Sequence, residues 1–262
     1  MNQVRGEQPQ ANPTLSDAEL RAAIYFAVGV TSESGNKAYR LVVAGDRPST
    51  PRLEPADNSG YSIGTIQTDL GQHYQPNNPE GENVPRDLVN AYQAWARRER
   101  PRSVLTEQEV ERTVADLGRN GNQIRAQNGR PLDGKIKSNI DAFLASDAGI
   151  TWVHDWDVEQ VGKLMREVVP ALRQSDVYRN ASLDDQVRLA AMVTKAYNQN
   201  ENLAGPLLER LRNNRYESLS DVNSAIDGLS RPTGDYFESG RDRALQGADV
   251  VNALRNANPA SP

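Results

Sequence analysis

At 262 residues and 37% hydrophobic, the chain is long enough for one large domain or two small ones around a buried core. A net charge of -5 without a long basic run argues against duplex nucleic acid as a partner, and no apolar run approaches the ~20 residues of a bilayer span. With no cysteine and two histidines, His73 and His154, disulfides, cysteine nucleophiles and thiolate or histidine-rich metal sites are excluded, and no cofactor is expected.

Residues 1–13 read as a polar N-terminal tail without an apolar signal core. Ser16-Asp17-Ala18-Glu19 is a capping box, in which the serine hydroxyl and the glutamate carboxylate satisfy free amides of a first helical turn. Leu20, Ile24, Ala27 and Thr31 then recur at helical spacing, and this helix delivers Ser32-Glu33-Ser34-Gly35 at its C-terminal end. Pro48, Pro51 and Pro55 argue against regular structure between that helix and Gly60, apart from a strand signal at Leu41-Val42-Val43. From Gly60 to Asp69 the pattern alternates, with Tyr61, Ile63 and Thr65 on one face and Ser62, Gly64 and Ile66 on the other. That predicts a short polar strand or hairpin, which is stable only when packed on something else.

The rest predicts helices joined by turns. A Pro, Asn and Gly rich loop precedes Pro85, which suits a helix start, and Leu88, Val89, Tyr92 and Trp95 give that helix its buried stripe. Arg97 to Arg100 reads as its solvated end. Thr106 to Glu109 is a second capping box, and Asp133 caps a helix with Ile136, Ile140, Phe143 and Leu144 inward. Asp155 or Asp157 is expected to cap the next helix, with Val158, Val161, Met165 and Val168 inward and a kink or end at Pro170. The Trp152 to Asp157 run is assigned to aromatic core packing and helix capping, and His73 to an exposed loop. Further helices start at Ser182, around Leu203 to Leu211, at Val222 to Leu229 and at Ala244 to Val251, before a polar tail from Asn256.

The helix ending in Glu33, followed by Tyr61-Ser62-Ile63-Gly64, resembles the lysozyme superfamily, and most of all its phage-type lysozymes (endolysins). In that family a Glu closes the first helix, an Asp follows, and a Tyr-Thr-Ile-Gly hairpin comes next. Ser62 replaces the Thr, and Gln67 replaces a His, as in goose-type lysozymes and lytic transglycosylases. Ala196-Tyr197-Asn198, Asn214-Arg215-Tyr216 and Gly240-Arg241-Asp242-Arg243 are similar to the order of motifs later in the family. The resemblance covers residues 14–255. It implies a mainly α, lysozyme-like α+β fold: a helical lobe and a small β-containing lobe over about residues 33–75, beside an active-site cleft.

It also implies the chemistry. Glu33 would protonate the leaving oxygen of a glycosidic bond, its carboxyl held protonated by burial and by the negative end of its helix. Asp57, in Asp57-Asn58-Ser59-Gly60, would meet the positive charge on the sugar, unless Asp46 does so; each also reads as a turn residue. Ser62 would hold the attacking water. Tyr61, Gln67, Asp69, Tyr197 and Asn198 would line the cleft. The partner implied is bacterial peptidoglycan, cut by a monomer between N-acetylmuramic acid and N-acetylglucosamine. Without a second carboxylate, attack by the muramic acid itself would give an anhydro product, the lytic outcome. A non-catalytic wall-binding module of the same fold is the rival. With no signal visible, such an enzyme would reach the wall through a holin or a dedicated secretion system. A secreted antibacterial effector of this kind would be matched by an immunity protein.

Overall fold

The computed structural model describes residues 13–34, 37–45, 52–56, 58–75, 82–129, 132–229 and 236–257, and of residues 32–34 the backbone alone. The chain is mainly helical, with one small antiparallel sheet. It divides into two compact units: Met1–Ser32 together with Val161–Pro262, and Glu33–Gln160.

In the first unit, helix α1 (Asp17–Ile24) starts at the expected capping box, with Ser16 and Glu19 satisfying each other's amides. It runs on as a π-helix, Tyr25–Ser34, whose last two residues count with the second unit, and Leu20, Ile24, Ala27 and Val28 along this continuous stretch are fully buried. Helices α7 (Val169–Gln174), α8 (Asp176–Arg179), α9 (Leu183–Gln199), α10 (Glu201–Arg212), α11 (Leu219–Asp227) and α12 (Tyr236–Ala257) complete the unit. Helix α9 is its axis, touching α1, α10, α11 and α12. That explains why Leu189 through Val193 are all buried: a helix surrounded by others has no polar face to give to water. Gln186 ties the N-terminal segment to α9, accepting from Leu15 N at 3.0 Å and donating to Pro13 O at 2.9 Å. Gly247 lets α12 approach the π-helix, since a Cβ there would lie 2.7 Å from Ala27 Cα.

In the second unit, strands β1 (Val42–Val43), β2 (Tyr61–Ile63) and β3 (Thr68–Asp69) form an antiparallel sheet in the order β1-β2-β3. Helices α2 (Val84–Glu99), α3 (Glu107–Leu117), α4 (Gly121–Ala126) and α5 (Gly134–Leu144) follow it in the chain, with a 3-10 turn at Pro101–Ser103 between α2 and α3. Pro85, the Thr106 box and the Asp133 cap sit where the sequence predicts. The core joins Leu41, Tyr61, Ile63 and Leu70 of the sheet region to Leu88, Tyr92 and Trp95 of α2 and Phe143 of α5. The rings of Trp95 and Phe143 lie 5.8 Å apart.

Helix α6 (Asp147–Glu167) corrects the sequence reading. It begins well before Asp155, where the Ser146 hydroxyl accepts from Gly149 N at 3.2 Å, so neither Asp155 nor Asp157 is a cap. The helix turns Val153, Asp157, Val161 and Leu164 inward, and that phase leaves Val158, expected inside, 63% exposed.

Candidate functional site

The site is built on the β2–β3 hairpin. Ser62 stands opposite both Val42 and Asp69, and Ile63 opposite Thr68. Directly opposed residues share a face, so Ser62, Val42 and Asp69 lie on one side and Tyr61, Ile63, Val43 and Thr68 on the other. The expected alternation is present in direction but not in polarity, because Tyr61, Ser62 and Ile63 are all buried. The central strand is covered on both faces, and Val42 and Asp69 beside Ser62 are half-exposed.

The turn joining β2 to β3 is tight. Gly64 has φ +79° and Gln67 φ +58°, both left-handed. Gly64 N donates to Ala38 O at 2.9 Å, and the Gln67 amide Nε2 donates to Gly64 O at 2.8 Å. Gln67, expected to line a cleft, thus fastens its own turn.

The strongest anchor comes from α6. Asp157 is fully buried, and its carboxylate accepts from Thr65 N at 2.9 and 3.0 Å and from Ile66 N at 3.4 Å. Gly64 has no Cβ because the Asp157 carboxylate occupies the space: a Cβ would sit 2.6 Å from Oδ1. Burial pushes the Asp157 carboxyl up, against the downward pull of the Thr65 and Ile66 hydrogen bonds. The neighbouring Trp156 donates from Nε1 to Thr68 Oγ1 at 2.9 Å and meets the His73 ring edge-on at 5.8 Å. His154 Nε2 lies 3.0 Å from the Tyr39 hydroxyl. His73 is partnered rather than a free loop residue, with Nδ1 2.5 Å from Glu82 Oε2. The Trp152 to Asp157 run is therefore aromatic packing, as expected, and also the hairpin's clamp. One signal pointed to Asp157: it is an acid in phase with Val153 and Val161 on an otherwise apolar stripe.

Asp69 works at the hairpin's other end. Its oxygens accept from Gly60 N at 3.0 Å and Gly71 N at 2.9 Å, closing the neck, and burial pushes its carboxyl up as well. Gly60 and Gly71 both lie against Arg119 O, which a Cβ at Gly60 would meet at 2.5 Å. A raised carboxyl pKa suits a general acid, but a general acid must also reach its substrate. Asp157 is sealed from solvent, and Asp69 spends its oxygens on main-chain amides. Both fasten the turn.

The hairpin thus brings Tyr61, Ser62, Gln67 and Asp69 together, with the Tyr61 ring in the core. The Glu33 backbone lies at the end of the π-helix, in the same unit; its side chain, and the whole of Asp57 and Asp46, are outside the described residues. Tyr197 and Asn198 belong to α9 of the other unit, both half-buried. Burial, with Glu167 and Glu201 nearby, pushes the Tyr197 hydroxyl up to about 12. No family model, no curated protein and no solved structure matches the chain. Among the described residues, no helix is long and apolar enough to cross a membrane.

Proposed function

We propose that the chain cleaves the β-1,4 bond between N-acetylmuramic acid and N-acetylglucosamine in peptidoglycan, with Glu33 as general acid. The observation that carries this reading is order along the chain. A helix ends at Glu33 and Ser34, and in the same compact unit as Glu33 there is an antiparallel sheet whose central strand is Tyr61–Ile63. The helix end is a π-helix, a rare form enriched at functional sites, and its terminal carbonyls favour a protonated carboxyl.

In this mechanism Glu33 donates its proton to the leaving oxygen. Asp57 offsets the charge growing on the sugar ring, and Ser62 orients a water for attack from the opposite side. The enzyme is of the lysozyme kind, an endolysin or an antibacterial effector delivered to the wall, and an immunity protein would guard a producer. The lytic reaction is the second reading. It is favoured by Asp69 of the hairpin and Asp157 of α6, the carboxylates described at the turn, both being held by main-chain amides. In that route the muramic acid C6 hydroxyl attacks C1 as the bond to the leaving oxygen breaks, and its proton goes to the Glu33 carboxylate left by the first transfer, so no second carboxylate is needed.

Mass spectrometry of purified peptidoglycan digested with the protein tests both. Reducing muropeptides mark hydrolysis, and anhydro-muropeptides mark the lytic route. Glu33→Gln keeps the shape and removes the proton; it should slow release at least ~100-fold with an unchanged circular dichroism spectrum. Intact glycan strands after digestion with wild-type protein would reject the enzyme and favour a wall-binding module.

A further inference from the structure

Lys195, near the C-terminal end of α9, is only 1% exposed. Lysine is almost never buried so far. Its ammonium loses its water there, and must be given other acceptors or lose its charge.

The neighbouring helices fix where it stands. Asp184, Arg188, Lys195 and Gln199 lie four, seven and four residues apart, so they share one face of α9. The other three meet α12. Asp184 O accepts from Asn252 Nδ2 at 3.0 Å, Arg188 Nε donates to Asp249 Oδ1 at 2.9 Å, and Gln199 Nε2 donates to Tyr236 O at 2.8 Å. The two helices are therefore antiparallel, and Lys195 is level with Arg241 to Ala244, about one turn before Gly247. Helix α12 also runs antiparallel to α1 and the π-helix, with Arg255 in electrostatic reach of Glu19 and Gly247 against Ala27 and Thr31. A step back along α12 from Gly247 is thus a step forward along the π-helix, and Lys195 is level with its C-terminal end.

That end needs a donor. A π-helix pairs each carbonyl with the amide five residues on. With the helix ending at Ser34, the carbonyls of Thr31 and Ser32 have no such amide inside it. They also form its negative pole. The other cations along this face serve acids: Arg188 pairs with Asp185 and Asp249, Arg241 with Asp227 and Asp242, and Arg255 with Asp184.

We propose that the Lys195 ammonium caps the C-terminal end of the π-helix, donating to the carbonyls of Thr31 and Ser32, and is a positioning residue for Glu33, which follows them. Its bearing on catalysis rests on Glu33 being the general acid. The negative pole of a helix raises a carboxyl beside it, and a buried cation limits that rise. Lys195 then sets the pH at which Glu33 loses its proton.

NMR of the 15N-labelled full chain reads the cap directly. One lysine ammonium should exchange slowly at neutral pH, be assigned to Lys195, and show a hydrogen-bond coupling to the carbonyl carbon of Thr31 or Ser32. In Lys195→Met, which keeps the length and removes the charge, the amides of Val30 to Ser34 should exchange about 10- to 100-fold faster, as loss of one charged hydrogen bond requires. The upper limb of the pH profile for glycan release should move up by about one pH unit in that variant, which looser packing alone would not do. No protected ammonium, a coupling only to other acceptors, or unchanged exchange in Lys195→Met would overturn the cap, and the wild-type spectrum decides it even where the variant does not fold. An upper limb that stays in place would overturn the role in catalysis. Wild-type protein that releases no glycan would instead reject the Glu33 reading, with the cap still decided by the spectra.

Discussion

Replacing Asp157 by alanine removes the acceptor for two amides in the hairpin turn. Thr65 and Ile66 are 3% and 2% exposed, so water does not take over. Each orphaned buried donor costs about 1–3 kcal/mol. The Thr65 bonds, at 2.9 and 3.0 Å, carry most of this, and the Ile66 bond, at 3.4 Å, carries less. The turn should therefore lose about 2–4 kcal/mol, a large part of a domain's 5–15 kcal/mol. Native-state hydrogen exchange reads this locally: protection of the Thr65 amide should fall about 30- to 700-fold. Equal protection at Thr65 in the two proteins would refute the clamp. Asp157→Asn keeps an acceptor and should cost less. Its pH dependence has a definite sign. The folded Asp157 carboxyl titrates above its ordinary value of 3.8, so the native state holds that proton more tightly than the unfolded chain. Its contribution to stability is complete below the ordinary value and is lost as pH rises through the raised one. The stability difference between wild type and Asp157→Asn should therefore shrink as pH rises through that window.

Gly64→Ala places a Cβ 2.6 Å from Asp157 Oδ1 at φ +79°, so urea denaturation should show a loss of about 1–2 kcal/mol from the backbone alone. In the double variant with Asp157→Ala the combined loss should be smaller than the sum of the two, because the clash is gone. Under the proposed mechanism, Asp57→Ala should slow glycan release more than Ser62→Ala, since a charge is lost rather than one hydrogen bond; the reverse order in the muropeptide assay removes Asp57 from the reaction. Burial, foremost, pushes Tyr178 and Tyr197 up to about 12. An ultraviolet titration should show ionisation near there, and Tyr178→Phe and Tyr197→Phe should each remove part of it.

Local signals in the sequence carry far. Ser16, Thr106, Asp133 and Ser182 each cap the helix they announce, because a capping interaction spans only a few residues. The apolar stripe of α2 is buried as its spacing predicts, and so is that of α5 apart from the half-buried Ile136. Long-range contacts are not legible in the same way. Nothing around Asp157 says that its partners are Thr65 and Ile66, and reading it as a cap treats an acid near a helix pattern as a purely local feature. Gln67 and Asp69 mislead in a similar way. A polar side chain in a hairpin suggests a surface, whereas here both bond to main chain of the same hairpin. His73 reads as a loop residue because Trp156, its ring partner, lies far along the chain.

The clamp also sets an order of events. Asp157 lies 92 residues beyond Thr65, and the Trp156 bond to Thr68 spans 88. At about 5–20 residues per second, a ribosome releases Asp157 roughly 5–20 s after the turn it secures. Through that interval the amides of Thr65 and Ile66 have only water to bond, and strands of two or three residues do not hold by themselves. The hairpin is among the first parts of the second unit to be synthesised and among the last to become rigid. A nascent chain halted before residue 157 should be cut by proteases between residues 60 and 71, where the finished protein is protected.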